Sequence, residues 1–185
     1  MIDDAKCPLC SGSFTRAVIE ESSYSIRECI PCRLGVTLPA TYVSASEYTH
    51  APDYADAYEA QEMKFRSYAR HLLEWAQRYV RGGRLLDVGC SVGWLVDEAR
   101  EAGFDAAGID LDANAVRHAK DKGRVVSQGS INEWQHAEYD VITLSHTLEH
   151  LPDPIGFLRA CAARLCDGGC LVVAVPCFVG LHPRL

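Results

Sequence analysis

The chain has 185 residues, 48% of them hydrophobic, and a formal net charge of −7. That length buries a real core, enough for one main domain with a small appendage. The acidic balance argues against nonspecific nucleic-acid binding, which rests on Lys and Arg neutralising phosphates, and no apolar run is long enough to span a bilayer.

The N-terminal MIDDAKCPLC lacks signal-peptide character. Four of the nine cysteines form two pairs, Cys7-Pro-Leu-Cys10 and Cys29-Ile-Pro-Cys32, with 18 residues between them. This is zinc-ribbon spacing: each pair makes a knuckle offering two thiolates to one tetrahedral ion. One C-x-x-C alone would admit a redox reading; two pairs favour structural zinc. Four cysteine ligands leave no open coordination position, so such a metal is not catalytic. The segments 16–19 and 23–27 are expected strands of a hairpin between the knuckles, giving a ribbon over residues 1–40. Cys90, Cys161, Cys166, Cys170 and Cys177 sit in apolar or small-residue surroundings. They read as buried thiols in a reducing cytoplasm.

Residues 41–83 begin with Tyr42, Tyr48, Tyr54 and Tyr58 and continue as an amphipathic helix. Phe65, Tyr68, Leu72, Leu73, Trp75, Ala76 and Tyr79 supply its apolar side, and Gly82-Gly83 ends it. The helix is expected to pack on a sheet through Leu72, Leu73 and Trp75.

From Arg84 the pattern alternates strand and helix, as in a doubly wound α/β fold. Leu85, Leu86 and Val88 form a short strand buried on both faces, and Gly89-Cys90-Ser91-Val92-Gly93 is a turn. A helix is expected over 94–102, a strand over 104–109 ending at Asp110, and a helix over 111–120. A third strand is expected over 124–127, followed by a turn at Gly129-Ser130-Ile131-Asn132. The fourth strand covers 139–145. A helix follows over 155–165, with Pro154 at its start where no amide donor is missed. Asp167-Gly-Gly169 reads as a turn into a fifth strand over 170–175.

An acid about 20 residues past a glycine turn sits where ribose hydroxyls bind, so residues 84–110 are a nucleoside-binding βαβ unit. The turn lacks the middle glycine that lets a backbone reach a pyrophosphate; Ser91 stands there, and Asp87 precedes the turn. A carboxylate there repels phosphate and suits a positively charged ligand, which argues against an NAD-dependent oxidoreductase. Asp87-Val-Gly-Cys-Ser-Val-Gly93 resembles the first motif of class I S-adenosylmethionine-dependent methyltransferases, D-x-G-x-G-x-G, with Ser91 as its departure.

The resemblance implies S-adenosylmethionine as cofactor, with Asp87, Gly89, Cys90, Ser91 and Gly93 shaping the methionine and ribose pocket. Asp110 would meet the ribose hydroxyls, and Leu111, Ser130 and Ile131 would flank the adenine. It also implies that Tyr54 and Tyr58 belong to a lid over the cofactor, and that Arg66 meets its carboxylate.

Ser145-His-Thr-Leu-Glu-His-Leu-Pro-Asp-Pro154 lies at the tip of the fourth strand, on the side where open α/β sheets bind ligands. Ser145 therefore joins the cofactor set. The segment is similar to the E/H-x-L-E-H-L-x-D-P signature of methyltransferases related to the ubiquinone-biosynthesis O-methyltransferases. His146-x-x-Glu149-His150 also matches an inverted zinc-protease pattern, but a strand precedes it and Pro152 follows too soon for one helical face. Methyl transfer is an in-line displacement helped by orientation, and a hydroxyl acceptor gains from a base that titrates near neutrality. His146 is the first choice for that base and His150 the second. Some ubiquinone-type enzymes bind a divalent ion at the positions of His146, Glu149 and His150, although the first is usually Glu. Bracing of the loop is the other reading for Glu149 and His150.

A fold of this class ends in two further strands, and PCFVGLHPRL after Val175 is too short for them. The C-terminal strands are thus expected to be missing, by truncation or by nature. An exposed fifth strand would then need cover from another element or a second subunit, which admits a homodimer. The whole reading is a Rossmann-like, mostly parallel α/β methyltransferase over residues 84–185 with an N-terminal zinc ribbon and a small-molecule acceptor. A cofactor-binding protein without catalysis and an RNA methyltransferase are the alternatives.

Overall fold

The computed structural model describes residues 6–22, 24–38, 53–134 and 138–176, which fall into two compact units, one reaching residue 38 and the other running from 53 to 176. Tyr42, Tyr48, Cys177 and the final residues after Pro176 lie outside the described residues.

The first unit is an antiparallel sheet of β1 (Phe14–Glu20), β2 (Ser25–Cys29) and β3 (Gly35–Leu38) in the order β1-β2-β3. The expected hairpin therefore gains a third strand. The second knuckle turns at Arg33, which has φ +64°, and sends the chain back along β2 with Glu28 opposite Gly35 and Ser25 opposite Leu38. A strand of four residues such as GVTL carries too few alternations to announce itself.

The second unit is a parallel sheet in the order β6-β5-β4-β7-β8, formed by β4 (Gly83–Val88), β5 (Phe104–Asp110), β6 (Val126–Gln128), β7 (Tyr139–Ser145) and β8 (Leu165–Ala174). The helices are α1 (Tyr54–Glu59), α2 (Glu62–Ala76), α3 (Trp94–Glu101), α4 (Ala113–Asp121) and α5 (Pro154–Ala162). The order in which successive strands are added reverses between β4 and β7, which makes their carboxyl ends the switch point.

Successive side chains of a strand point to opposite faces, and the core divides accordingly. Leu85 packs on one face with Ala69, Leu72, Leu73 and Ala76 of α2, Val96 and Ala99 of α3, and Val116 and Ala119 of α4. Leu86 and Val88 pack on the other with Ile109, Ile142, Leu144 and Cys161 of α5. Each fully buried aliphatic side chain contributes about 1.5–3 kcal/mol, so these two layers fix the strand tips that carry the site.

Several expectations change in detail. Trp75 does not enter the core: it is 46% exposed, donates from Nε1 to His71 Nε2 at 3.3 Å, and lies under the Arg78 guanidinium. Asp167-Gly-Gly169 is not a turn before β8 but an irregularity inside it; Leu165 opposes Tyr139 and Cys170 opposes Val141. The α5 helix consequently stops at Ala162, short of the expected Leu165. Cys90 and Cys161 are buried thiols, whereas Cys166 and Cys170 are half-buried.

Candidate cofactor and acceptor site

In the first unit, the two knuckles repeat one backbone pattern. The amide of Ser11 donates to the Cys7 carbonyl and that of Cys7 to Gly12; Arg33 donates to Cys29 and Cys29 to Leu34. Both fifth residues, Ser11 and Arg33, take left-handed φ values of +56° and +64°. Two identical knuckles facing each other bring Cys7 Sγ to 3.6 Å from Cys32 Sγ and Cys10 Sγ to 3.4 Å from Cys29 Sγ. All four sulfurs lie within 4.8 Å of one another, and the thiols are not paired as disulfides. Bonds of about 2.3 Å in a tetrahedron separate thiolates by about 3.8 Å, so the donor set and spacing fit a zinc ion. Burial pushes the Cys29 thiol up to about 12. On Cys7 burial acts upward too, but hydrogen bonds from the Cys10 and Leu9 backbone amides and from the Cys32 and Cys29 thiols together outweigh it and lower the thiol to about 7.

In the second unit, the glycine turn runs from the end of β4 to the start of α3. Gly89 has φ +81°, and a Cβ there would sit 2.2 Å from Thr147 Oγ1, the hydroxyl that donates to the Val88 carbonyl. Only glycine fits both conditions. Gly93 also has a positive φ, +87°, and opens α3. Between them Ser91 takes φ +48°, a left-handed conformation that costs an ordinary L-residue about 1–2 kcal/mol. Its amide donates to Asp110 Oδ2 at 2.7 Å and its hydroxyl to Tyr54 Oη at 3.4 Å. The middle glycine of the D-x-G-x-G-x-G pattern is thus replaced at a position whose backbone still has glycine geometry.

Asp110 closes the other side. Its second oxygen accepts from the Asp112 amide at 2.8 Å, and Asp112 in turn caps α4 by accepting from Asn114 N and Ala115 N. A carboxylate has about four acceptor sites, so bracing the turn and meeting ligand hydroxyls are compatible. Asp87 lies just below, 3% exposed, accepting from Thr143 Oγ1 at 2.7 Å. Burial raises its carboxyl to about 7; the Thr143 hydroxyl opposes this and the nearby Asp110 charge reinforces it.

The structure brings Asp87, Gly89, Ser91, Gly93, Asp110 and Tyr54 together. Tyr58 follows at one remove, its ring 4.3 Å from that of Tyr54 and stacked on Phe65. Leu111 and Ser145 are half-buried at the tips of β5 and β7, and Ser130 is half-buried after β6, its hydroxyl accepting from the Asn132 amide.

Three predicted contacts are placed elsewhere. Cys90 turns inward, with its side chain in the core where a Cβ on Gly108 would meet it at 2.6 Å, and burial holds its thiol well above the usual value. Ile131 is fully buried among Leu86, Ile109 and Ile142. Arg66 is held by carboxylates of α2 and α3: Glu62 at 2.9 Å, Glu98 at 2.6 Å and Glu101 at 3.1 Å, with its guanidinium against the Trp94 ring.

Arg124, from the chain just before β6, is held in a similar cluster of carboxylates. Its side chain is 6% exposed, pairs with Glu59 of α1 and Asp97 of α3, donates to the Val92 carbonyl at 2.8 Å, and covers Trp94. Burial acts to raise the Glu59 carboxyl, but Arg124 and His118 draw it below its ordinary range. This buried cation ties α1 to the glycine turn; nothing in the isolated sequence marked it.

His146 stands at the tip of β7 with φ +54° and its amide bonded to the Ala174 carbonyl at 2.9 Å. Its Nδ1 lies 3.4 Å from Glu149 Oε1 and its Nε2 3.2 Å from the Tyr68 hydroxyl. His150 lies farther out, 4.0 Å from the same carboxylate oxygen. Among the described residues only the four cysteines gather three or more metal-ligating atoms.

A parallel sheet of this order, with an acid-flanked glycine turn at its switch point, defines a Rossmann-like domain of the S-adenosylmethionine-dependent methyltransferase class. The chain belongs to the methyltransferase-domain family, whose model matches residues 60–181. It is 38% identical over 109 residues to the ubiquinone biosynthesis O-methyltransferase of Bordetella avium, covering 52% of this chain and 45% of that protein. The namesake from Methylococcus capsulatus is 35% identical over 103 residues, covering 51% and 44%. The chain therefore spans less than half the length of these curated relatives. In fold it is similar to CalS10 with bound S-adenosylmethionine, an amino pentose methyltransferase from Micromonospora echinaspora (TM-score 0.59, 22% identity, 72% of this chain and 60% of that one). It is also similar to DesVI of Streptomyces venezuelae (TM-score 0.57, 21% identity, 70% and 60%). No helix among the described residues is long and apolar enough to cross a membrane.

Proposed function

We propose that the chain binds S-adenosylmethionine at the carboxyl ends of β4 and β5 and transfers its methyl group to an oxygen of a small-molecule acceptor. The observation that carries this reading is the placement of two carboxylates at one glycine turn, Asp87 buried just before it and Asp110 accepting from the Ser91 amide within it. A cation beside such carboxylates favours their ionised form, whereas a pyrophosphate would be repelled by it. Ser91, Gly93 and Asp110 form the rim, with Tyr54 reaching over it from α1. When bound, the cofactor supplies an activated methyl group on a sulfonium. The protein has then to orient the acceptor, exclude water and receive one proton.

His146 is the residue assigned to that proton. It is 52% exposed at the tip of β7, next to the turn and within reach of a solvent-borne acceptor. Oxygen as the acceptor atom rests on the ubiquinone biosynthesis O-methyltransferases to which this region is similar. We further assign the four-cysteine cluster to a structural zinc ion.

Two measurements test the reading. Calorimetry with S-adenosylhomocysteine and with NAD should give binding of the first and none of the second; the reverse would defeat it. With a panel of ring-hydroxylated acceptors, His146→Ala should lower kcat by roughly 10²–10⁴ and leave S-adenosylhomocysteine affinity unchanged. Equal turnover at every pH would remove His146 from the chemistry.

The turn itself gives a third test. Gly89→Ala adds a left-handed penalty of about 1–2 kcal/mol and an overpacked contact on Thr147 of about 1–3 kcal/mol. Denaturant midpoints should fall accordingly, and S-adenosylhomocysteine heats should vanish. An unperturbed variant would mean that the Thr147 hydroxyl has somewhere else to go.

A further inference from the structure

Tyr68 belongs to neither the core nor the cofactor rim. Ala69, Leu72, Leu73 and Ala76 set the rotation of α2 by burying its inner stripe. Tyr68 is left at the margin of that stripe, 36% exposed, with its hydroxyl 3.2 Å from His146 Nε2 and the two rings 5.7 Å apart. On the opposite side of the imidazole, Nδ1 faces Glu149 Oε1 at 3.4 Å. Nε2 is therefore hydrogen-bonded to a phenol, while Nδ1 faces a carboxylate at ion-pair distance.

The chemistry of those partners is asymmetric. A carboxylate is acceptor-only when ionised, so it favours a proton on Nδ1. A phenol can donate, so it favours an unprotonated Nε2. The two contacts select the same tautomer. The loop that carries them is pinned as well: Thr147 donates to the Val88 carbonyl at 3.1 Å, and the His146 amide donates to Ala174. His146 keeps a left-handed backbone, which a β7 tip tolerates only when the surrounding structure over-determines it. A half-exposed hydrogen bond contributes little to stability, so its consequence lies in orientation.

We propose that Tyr68 is a positioning residue which, with Glu149, holds His146 as the Nδ1–H tautomer and presents Nε2 as the basic atom of the acceptor side. This rests on the assignment of His146 as proton acceptor. It adds a residue from α2, the helix that follows the Tyr54 segment, to the acceptor half of the site. Because Tyr68 occupies Nε2 when no acceptor is present, an arriving hydroxyl replaces one donor by another and finds the ring already aligned.

The test reads the tautomer directly. The full-length chain, labelled with 15N-histidine, is examined by long-range 1H–15N correlation at pH 8.5, above the ordinary histidine range of about 6.5, with His146→Gln assigning the signal. The wild type should show the Nδ1–H form. Tyr68→Phe should raise the Nε2–H fraction roughly threefold or more, the effect of losing one ordinary hydrogen bond, with unchanged thermal midpoint and unchanged S-adenosylhomocysteine affinity. Glu149→Gln should raise it further. A wild-type ring in the Nε2–H form, or a tautomer ratio indifferent to Tyr68→Phe, overturns the proposal. Loss of S-adenosylhomocysteine binding in the wild type would instead strike the methyltransferase reading and leave the tautomer result standing on its own.

Discussion

Stripping the metal assigned to Cys7, Cys10, Cys29 and Cys32 should unfold the N-terminal unit outright. Among its described residues the unit has three short strands and few buried apolar side chains; Cys7 and Cys29 are themselves the most buried hydrophobic groups there. Leu9, Val18, Ile19, Ile30 and Leu34 are all more than a third exposed. A domain of this size cannot offset its chain entropy by burial alone. Structural zinc contributes about 10–16 kcal/mol to such folds near neutral pH, more than any other single interaction available here. One equivalent of zinc per chain should be found by metal analysis, and a strong chelator should abolish the amide dispersion of residues 14–38. The signals of the parallel sheet should persist, because among the described residues its core layers are built from residue 69 onward. Cys29→Ser should act like the chelator. Lowering the pH should release the ion as well, since bound thiolates must take up protons. A metal-free protein with an intact three-stranded sheet would refute the assignment.

The parts of this molecule that sequence made legible are those where one residue type is forced. Gly89 and Gly93 need positive φ, Asp110 ends a strand at the right distance, and two C-x-x-C pairs leave little else to be. Pro154 at the first turn of α5 and the apolar run of β7 were equally explicit. What escaped was direction. A turn residue can face ligand or core, and Cys90 and Ile131 face core because Gly108 on β5 opens room for one and the lower sheet face claims the other. Arg66 and Arg124 are both near the turn in space, but which carboxylates each meets depends on the crossing of α2 and α3. The role of Tyr68 is a matter of helix phase: by spacing it belongs with Leu72, and one edge of the stripe happens to end at His146. Thr143 was hidden for a related reason. In a strand buried on both faces, a hydroxyl looks like a packing residue until the carboxylate beside it is known.

That buried carboxylate yields the second large effect, a pH-dependent one. Asp87 has a folded-state value of about 7 against 3.8 for the ordinary side chain, chiefly through burial, with Thr143 opposing and Asp110 adding to the rise. Between those values the folded chain holds a proton that the unfolded chain has lost. Stability of the ligand-free protein from this group is thus complete below about pH 4, declines as pH rises toward 7, and is fully lost above it. At about 1.4 kcal/mol per unit the span is on the order of 4 kcal/mol. Asp87→Asn, which cannot ionise, should flatten that decline and leave the ligand-free protein more stable than wild type at pH 8, as read from urea midpoints across pH 4–8. The same substitution should weaken S-adenosylmethionine binding by roughly tenfold or more, since an ionised partner roughly doubles the strength of a hydrogen bond and its charge is what a cation meets. Wild-type affinity should accordingly rise with pH from 6 to 8, and calorimetry in buffers of different ionisation enthalpy should detect proton release on binding. If Asp87→Asn destabilised the ligand-free protein at pH 8 and bound cofactor normally, the carboxyl would be an ordinary partner of Thr143 and the glycine turn would have to select its ligand by shape alone.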